Sequence, residues 1–173
     1  MNGRRWGVAA ARTPKILEAR MVTLRPMEQE EFDTFMARQR QNYPAERARN
    51  FSSPVERERE QAERQFADLL PQGRATSGHH FWMVLAAPGE AIGQLWVFLL
   101  ADRERAFIYY IAIDEPHRGK GFGRQTLAAL DAWLTEQGVR VVALNVFGDN
   151  PVAQHLYATS GYRVTNSTMQ KRL

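Results

Sequence analysis

One stretch decides the fold of this chain: Arg118-Gly119-Lys120-Gly121-Phe122-Gly123. An apolar run, 106–113, precedes it, and leucines at helical spacing follow it at 127, 130 and 134. The sequence therefore predicts a strand, a glycine-rich turn and a helix. Glycine tolerates positive φ, so several N–H groups of such a turn can point into one small space. The helix dipole is positive at the same place, so the turn is predicted to bind a phosphate or pyrophosphate.

Three nucleotide-type motifs compete for this turn. A Walker A loop requires G-x-x-x-x-G-K-[ST], which the sequence lacks, and a dinucleotide fingerprint requires a third glycine further along the chain. The third motif, R-x-x-G-x-G, is filled by Arg118, Gly121 and Gly123. It is the pyrophosphate loop of the GCN5-related N-acetyltransferases, and the sequence resembles that family. The alternative is a plain glycine-rich turn that binds nothing.

A second pattern lies downstream. Asn150, Ala153, Tyr157, Gly161 and Tyr162 fit N-x-x-A-x-x-x-Y-x-x-x-G-[FY], which is similar to the family's second signature. Two patterns in the expected order strengthen the resemblance. It implies an α/β fold with a mixed, mostly antiparallel sheet of about seven strands, helices on both faces, and a splay between the fourth and fifth strands.

The pattern of apolar residues and turns gives the elements in order. The predicted strands are 22–25, 81–87, 92–100, 106–113, 140–146, 162–165 and 168–171, and the predicted helices are 28–41, 54–69, 122–137 and 150–160. Ser53 is predicted to cap the second helix, with Glu56 completing a capping box. Short turns between the second, third and fourth strands predict an antiparallel meander.

Composition excludes several classes of protein. The chain of 173 residues is 44% hydrophobic and contains no cysteine, so disulfides, thiolate metal sites and a cysteine acyl-enzyme are excluded. The four histidines lack metal-ligand spacing, and we expect no metal. Net charge is +4, but five arginines and five glutamates balance between positions 45 and 66. We interpret that segment as a solvated face and expect no nucleic-acid partner.

Location and domain organisation follow from the ends of the chain and its hydropathy. Residues 1–20 lack the apolar centre of a secretory signal and are expected to be a flexible arm or an upstream extension. Residues 21–173 are expected to form one complete N-acetyltransferase domain. No apolar run approaches the roughly 18 residues of a membrane span. We therefore expect a cytoplasmic protein without a membrane partner.

The resemblance implies acetyl-coenzyme A as co-substrate and assigns residues to it. The main chain at 111–113 is expected to bind the pantetheine arm, the turn its diphosphate, and one face of the last helix the rest of the arm. The expected cofactor-binding residues are Ile111, Ala112, Ile113, Arg118, Gly119, Lys120, Gly121, Phe122, Gly123, Arg124, Asn150, Ala153 and Tyr157. Tyr157 is also the expected catalytic acid that protonates the departing thiolate; simple packing is the alternative role of this side chain.

The general base stays open at this point. Many family members carry a glutamate on the central strand where this chain has Phe107. Local alternatives are Tyr109, Tyr110, Asp114 and Glu104, and a chain of water molecules is equally consistent with the sequence. The two helices after the first strand are expected to cover the acceptor, so Tyr43 is expected either to touch substrate or only to pack.

The reaction implied is direct attack of a primary amine, on a small molecule or peptide, upon acetyl-coenzyme A. Transfer of a longer acyl group is a second reading. A non-catalytic module that binds or senses acyl-coenzyme A is a third, favoured by the missing glutamate at 107. Exposed strands in such folds often pair, so a homodimer is one expected assembly.

Overall fold

A five-stranded sheet forms the centre of the computed structural model, which describes residues 22–102 and 104–171. Its strands lie in chain order: β1 (Thr23–Pro26), β2 (His79–Ala86), β3 (Glu90–Leu99), β4 (Arg105–Ile113) and β5 (Val141–Leu144). The first four are antiparallel neighbours, which confirms the predicted meander, and β5 is parallel to β4. The predicted N-terminal extension, 1–20, lies outside the described residues.

Helices cover both faces of this sheet, as predicted. They are α1 (Gln29–Phe51), α2 (Val55–Leu69), α3 (Phe122–Glu136) and α4 (Pro151–Thr159). Alternation along the strands assigns each face its own core. Phe81 and Trp96 pack with α1 and α2, whereas their neighbours Trp82 and Leu95 pack with α3 on the opposite face.

The helix α3 is anchored by its leucine stripe. Leu127, Leu130 and Leu134 are each at most 2% exposed and pack on the sheet. Burial of a leucine side chain contributes roughly 1.5–3 kcal/mol, so this stripe fixes the helix firmly. Because α3 begins at Phe122, the same stripe fixes the position of the glycine-rich turn.

The helix α1 ends ten residues later than predicted, at Phe51 rather than near Gln41. Pro44 lies inside it and lacks the N–H that would bond to the preceding turn. Packing compensates, because Pro44 itself is fully buried and Ala48 is buried one turn later. The predicted Ser53 cap is wrong: Pro54 is the N-cap of α2, and the Ser53 hydroxyl donates instead to Glu58 Oε1 at 2.7 Å.

The two predicted terminal strands, 162–165 and 168–171, are not formed, and β5 is shorter than predicted. The described residues thus contain five strands instead of about seven. The segment offers little to bury, since its apolar side chains Val164 and Met169 are 85% and 91% exposed. Without a buried face, no ladder forms on the outer edge of β5, where Val141 is 55% exposed.

Candidate functional site

The sheet opens between its fourth and fifth strands. Pairing of β4 with β5 runs from Arg105 opposite Val141 to Ile108 opposite Leu144 and stops there. The strand β4 continues to Ile113, and the described residues supply no strand partner on that side. This opening lies where the sequence predicted a splay.

Main-chain groups at the end of β4 alternate between β3 and the opening. The Asp114 N–H donates to the Ile92 carbonyl on β3 at 2.8 Å, and the Ala112 carbonyl lies against Gly93, also on β3. Because successive residues of a strand point their polar groups to opposite sides, those of Ile111 and Ile113 face the opening. Of the three predicted main-chain contacts, the structure therefore orients Ile111 and Ile113 suitably and turns Ala112 away.

A bulge in β4 places two tyrosines on the face covered by α1 and α2. Trp96 pairs with Tyr110 and Val97 with Ile108, so Tyr109 has no partner in the register. The Tyr109 ring lies 4.7 Å from that of Trp96. The pKa of both tyrosines is raised by burial, so both hydroxyls stay protonated near neutral pH and are poor bases.

The glycine-rich turn connects β4 to α3. Gly119 and Gly121 have φ of 73° and 83°, a left-handed conformation that glycine adopts without a steric penalty. Gly121 is the N-cap of α3 and has no side chain to occupy the first N–H groups of the helix. Those groups therefore stay open toward the surface, as a phosphate site requires.

The basic side chains of the turn are exposed. The Arg118 guanidinium donates to the Ile113 carbonyl at 2.8 Å, and the Lys120 ammonium donates to the Pro116 carbonyl at 2.7 Å. Arg124 is also exposed, in the first turn of α3. Phe122 differs from its neighbours because its ring is buried in the core, so only its N–H is placed to meet a ligand.

The helix α4 reaches the opening because Gly123 lets it approach α3. A Cβ atom on Gly123 would lie 3.1 Å from Leu156 Cδ2, which is closer than ordinary contact. The next residue, Tyr157, packs at the edge of the α3-side core. At the other end of α4, Asn150 Oδ1 accepts from the Ala153 N–H at 3.0 Å and caps the helix. Asn150 thus keeps its amide N–H groups for other contacts.

Tyr157 has the protonation state that an acid needs. Its side chain is half-buried, and burial raises its pKa, so the hydroxyl carries its proton near neutral pH. The Tyr162 ring lies 5.6 Å away. Burial also raises the pKa of Tyr162, and its buried hydroxyl has no hydrogen-bond partner among the described residues.

The end of α1 bridges the opening, which sequence reasoning missed. Arg49 Nε lies 3.3 Å from Asp149 Oδ2, and Asn50 Nδ2 donates to Asp149 Oδ1 at 3.0 Å. Next to them, the rings of Phe51 and Phe147 meet edge to face at 6.2 Å. The segment just before α4 is thereby tied to α1 across the gap.

The other predicted residues of the acceptor side fall in different places. Tyr43 packs against Phe66, with ring centroids 5.8 Å apart. Phe107 lies 4.9 Å from Tyr109 on the same face and puts an apolar ring where a glutamate was expected. Glu104 precedes β4 at its paired end, roughly 20 Å from Ile111 at the usual rise per residue. That distance removes Glu104 from the candidate bases.

The described residues form neither a metal cluster nor a membrane-spanning helix. Among residues 22–102 and 104–171, no group of three or more His, Asp or Glu side chains is arranged to hold a metal ion. In the same part of the chain, no helix combines the length and apolar character that crossing a bilayer requires.

A mixed sheet that opens between β4 and β5, beside a glycine-rich turn at the start of α3, is an acetyltransferase-like α/β fold. The model of the acetyltransferase (GNAT) family matches residues 32–162. The chain belongs to this family and is an acetyl-coenzyme A-dependent N-acetyltransferase. Enzymes of this family acetylate amines.

Relatives agree with this assignment. The chain is 34% identical to the uncharacterized N-acetyltransferase YycN of Bacillus subtilis over 88% of this chain and 99% of the relative, and the YycN crystal structure superposes with a TM-score of 0.84. It is 35% identical to YdgE of the same organism, over 87% and 98% of the two chains. Spermidine N-acetyltransferase from Vibrio cholerae, solved with CoA and spermine, shares the fold at 23% identity over 82% and 80%, with a TM-score of 0.56.

Proposed function

We propose that this enzyme moves an acetyl group from acetyl-coenzyme A directly to a primary amine of a small molecule or peptide. One observation carries the proposal: the opening separates β4, which leads into the uncapped N-terminus of α3, from β5, which leads into α4 and its protonated Tyr157. A diphosphate held at the N-terminus of α3 would direct a thioester toward Tyr157.

The cofactor is held mainly by main-chain groups. The diphosphate accepts hydrogen bonds from the N–H groups between Gly119 and Arg124, with Arg118 and Lys120 adding positive charge. The pantetheine arm lies along β4 as an added strand and bonds to Ile111 and Ile113. Ala153 is small enough for the arm to lie against α4, and the Asn150 amide donates to it.

Tyr157 assists departure of coenzyme A. The amine nitrogen attacks the thioester carbonyl, the C–N bond forms and the C–S bond breaks. The departing sulfur, whose thiol has a pKa of about 8.5, leaves more readily when it is protonated. Because the pKa of Tyr157 is raised, its hydroxyl carries a proton that it can give to the sulfur. The hydroxyl then takes up a new proton from solvent.

The acceptor lies on the α1 and α2 side of the opening. That face is lined by the aromatic rings of Phe107, Tyr109 and Tyr110. The Vibrio cholerae neighbour was solved with a polyamine, which supports an amine of some length as a first class to test. Peptides and aminoglycosides belong in the same panel.

A thiol-release assay with acetyl-coenzyme A and a panel of amines tests the proposal. We expect release above the background rate with at least one primary amine. The absent glutamate at position 107 favours one other function, a non-catalytic acyl-coenzyme A sensor. Calorimetric binding of the cofactor without thiol release across the panel would establish the sensor; propionyl- and butyryl-coenzyme A test for a longer acyl group.

The role of Tyr157 has a matched control in Tyr162. We expect Tyr157→Phe to lower kcat about 100-fold, the usual contribution of a general acid, with little change in coenzyme A affinity. Tyr162→Phe removes a buried hydroxyl that has no hydrogen-bond partner in the described part of the chain, and this variant should keep its turnover. Equal kcat in both variants, with chemistry rate-limiting, would refute the acid role.

A further inference from the structure

One face of α1 runs from the core to the opening. Phe35, Gln39, Glu46 and Asn50 follow at spacings of four, seven and four, which place them on the same side of a helix. The Phe35 ring lies 5.3 Å from that of Tyr110 on β4, and Asn50 bonds to Asp149 across the gap. Glu46 lies between these anchored positions and therefore faces the space between β4 and the segment before α4.

The Glu46 carboxylate has no ion-pair partner within residues 22–102 and 104–171, although arginines follow it at positions 47 and 49. Its neighbour Arg47 is bonded to Glu58, and Arg49 is bonded to Asp149. Glu46 is itself only partly exposed. A half-buried carboxylate without a partner is costly for stability, and such groups concentrate at functional sites.

Burial of the Glu46 side chain favours the uptake of a proton. Burial raises its pKa, Asp149 raises it further, and Arg49 opposes both. The charges of Glu46 and Asp114 raise the pKa of Tyr110 on β4 beyond the effect of burial, and the charge of Arg118 lowers it. A carboxylate with a raised pKa is a better base near neutral pH than an ordinary one.

Several other candidate bases are unsuited for identifiable reasons. The Asp149 carboxylate is engaged by Asn50 and Arg49, which lower its pKa. Tyr109 and Tyr110 keep their protons, and position 107 is apolar. Glu46 supplies from α1 the carboxylate that is missing from β4.

We propose that Glu46 is the general base that takes the proton from the acceptor ammonium, directly or through one water molecule. The inference rests on the proposed function. The ammonium loses two protons while the C–N bond forms and the C–S bond breaks. One reaches solvent through Glu46. The other also passes to solvent, from which Tyr157 regains the proton that it gives to the sulfur.

The test compares Glu46→Gln with Glu30→Gln, using the best amine of the panel. Glu30 is an exposed residue of the same helix, so its variant makes the same charge change away from the opening. We expect Glu46→Gln to lose about 100-fold in kcat/KM at pH 7 and to bind coenzyme A normally by calorimetry. Glu30→Gln should match the wild type, and Glu46→Asp should recover part of the loss.

The pH profile separates a base from a structural residue. With Glu46 as base, kcat/KM of the wild type is flat between the pKa of Glu46 and that of the amine. Without the base, the rate follows the free amine and rises about tenfold per pH unit toward an amine pKa near 10.4. A profile of Glu46→Gln that is parallel to the wild type would overturn the inference. If the wild type itself released no thiol, the proposed function would fail first.

Discussion

Gly93→Ala tests how tightly β3 and β4 meet beside the opening. Gly93 pairs with Ile113, so it lies directly behind the main-chain groups proposed to hold the pantetheine arm. An added Cβ atom would lie 2.2 Å from the Ala112 carbonyl oxygen and 3.1 Å from Ile113 Cδ1. The first atom belongs to the main chain and cannot rotate away.

The expected cost follows from that distance. Ordinary contact begins near 3.4 Å, so the strands must separate by about 1 Å at this point. Hydrogen bonds between the strands, ordinarily about 2.9 Å long, would then become too long to stabilise the sheet. We expect two of them to be lost, at about 1 kcal/mol each. Strain from overpacking adds about 1–3 kcal/mol. We expect a total loss of about 3–5 kcal/mol.

Urea denaturation and thermal melting measure this loss. A change of about 3–5 kcal/mol lowers the Tm of a domain of this size by about 10 °C. Gly148→Ala is the matched control, because an added Cβ there meets nothing within 4 Å and its φ is not positive. Calorimetry should also show weaker coenzyme A binding by Gly93→Ala. The close-packing argument would be refuted if both variants melted at the wild-type temperature.

Three further predictions concern charge, pH and the turn. Glu58→Ala should lower the unfolding free energy measured by urea denaturation by about 1.5–3 kcal/mol, because it removes a carboxylate that is only 3% exposed and makes two charged hydrogen bonds. Glu60→Ala, which breaks an exposed ion pair, should lower it by less than about 0.5 kcal/mol. Burial lowers the pKa of His79 to about 4, so the unfolded chain takes up a proton near its ordinary pKa of 6.5 before the folded protein does. The unfolding free energy should therefore fall by up to about 3 kcal/mol as pH drops from 6.5 to 4, and it should fall less in His79→Gln. An equal dependence on pH in the two proteins would contradict the lowered pKa of His79. Gly121 has a φ of 83°, so alanine at this position adds roughly 1–2 kcal/mol of strain and distorts the turn. Gly121→Ala should therefore weaken coenzyme A binding about tenfold by calorimetry. An affinity equal to that of Gly148→Ala would argue against main-chain binding.

Local patterns predicted the parts of this fold that local physics decides. The leucine stripe of α3 and the meander came directly from the 3.6- and two-residue periods. The glycine turn was placed correctly because Gly119 and Gly121 occupy conformations that few other residues accept. The same logic failed at Pro44, where burial outweighed the lost hydrogen bond and α1 continued. It failed again at 162–171, where short apolar patterns did not translate into a buried face.

The acceptor side was least accessible from sequence because its contacts are distant along the chain. Asn50 and Asp149 are 99 residues apart, and no local pattern connects them. Glu46 was counted among the balanced charges of 45–66 and interpreted as solvated. The continuation of α1 past Pro44 leaves this glutamate only partly exposed. A helix predicted to continue through the proline would have put Glu46 on the same face as Phe35 and Gln39.

Pro44 divides α1 into two parts with different duties. Before it, Phe32, Phe35 and Met36 are buried in the core, so substitutions there threaten folding. After it, Ala48 alone is buried, and the last two turns border the space proposed for the acceptor. New amine preferences can therefore be sought by varying Ala45 and Phe51. Glu46, Arg47 and Ala48 should be kept, because they are the proposed base, the partner of Glu58 and a buried contact.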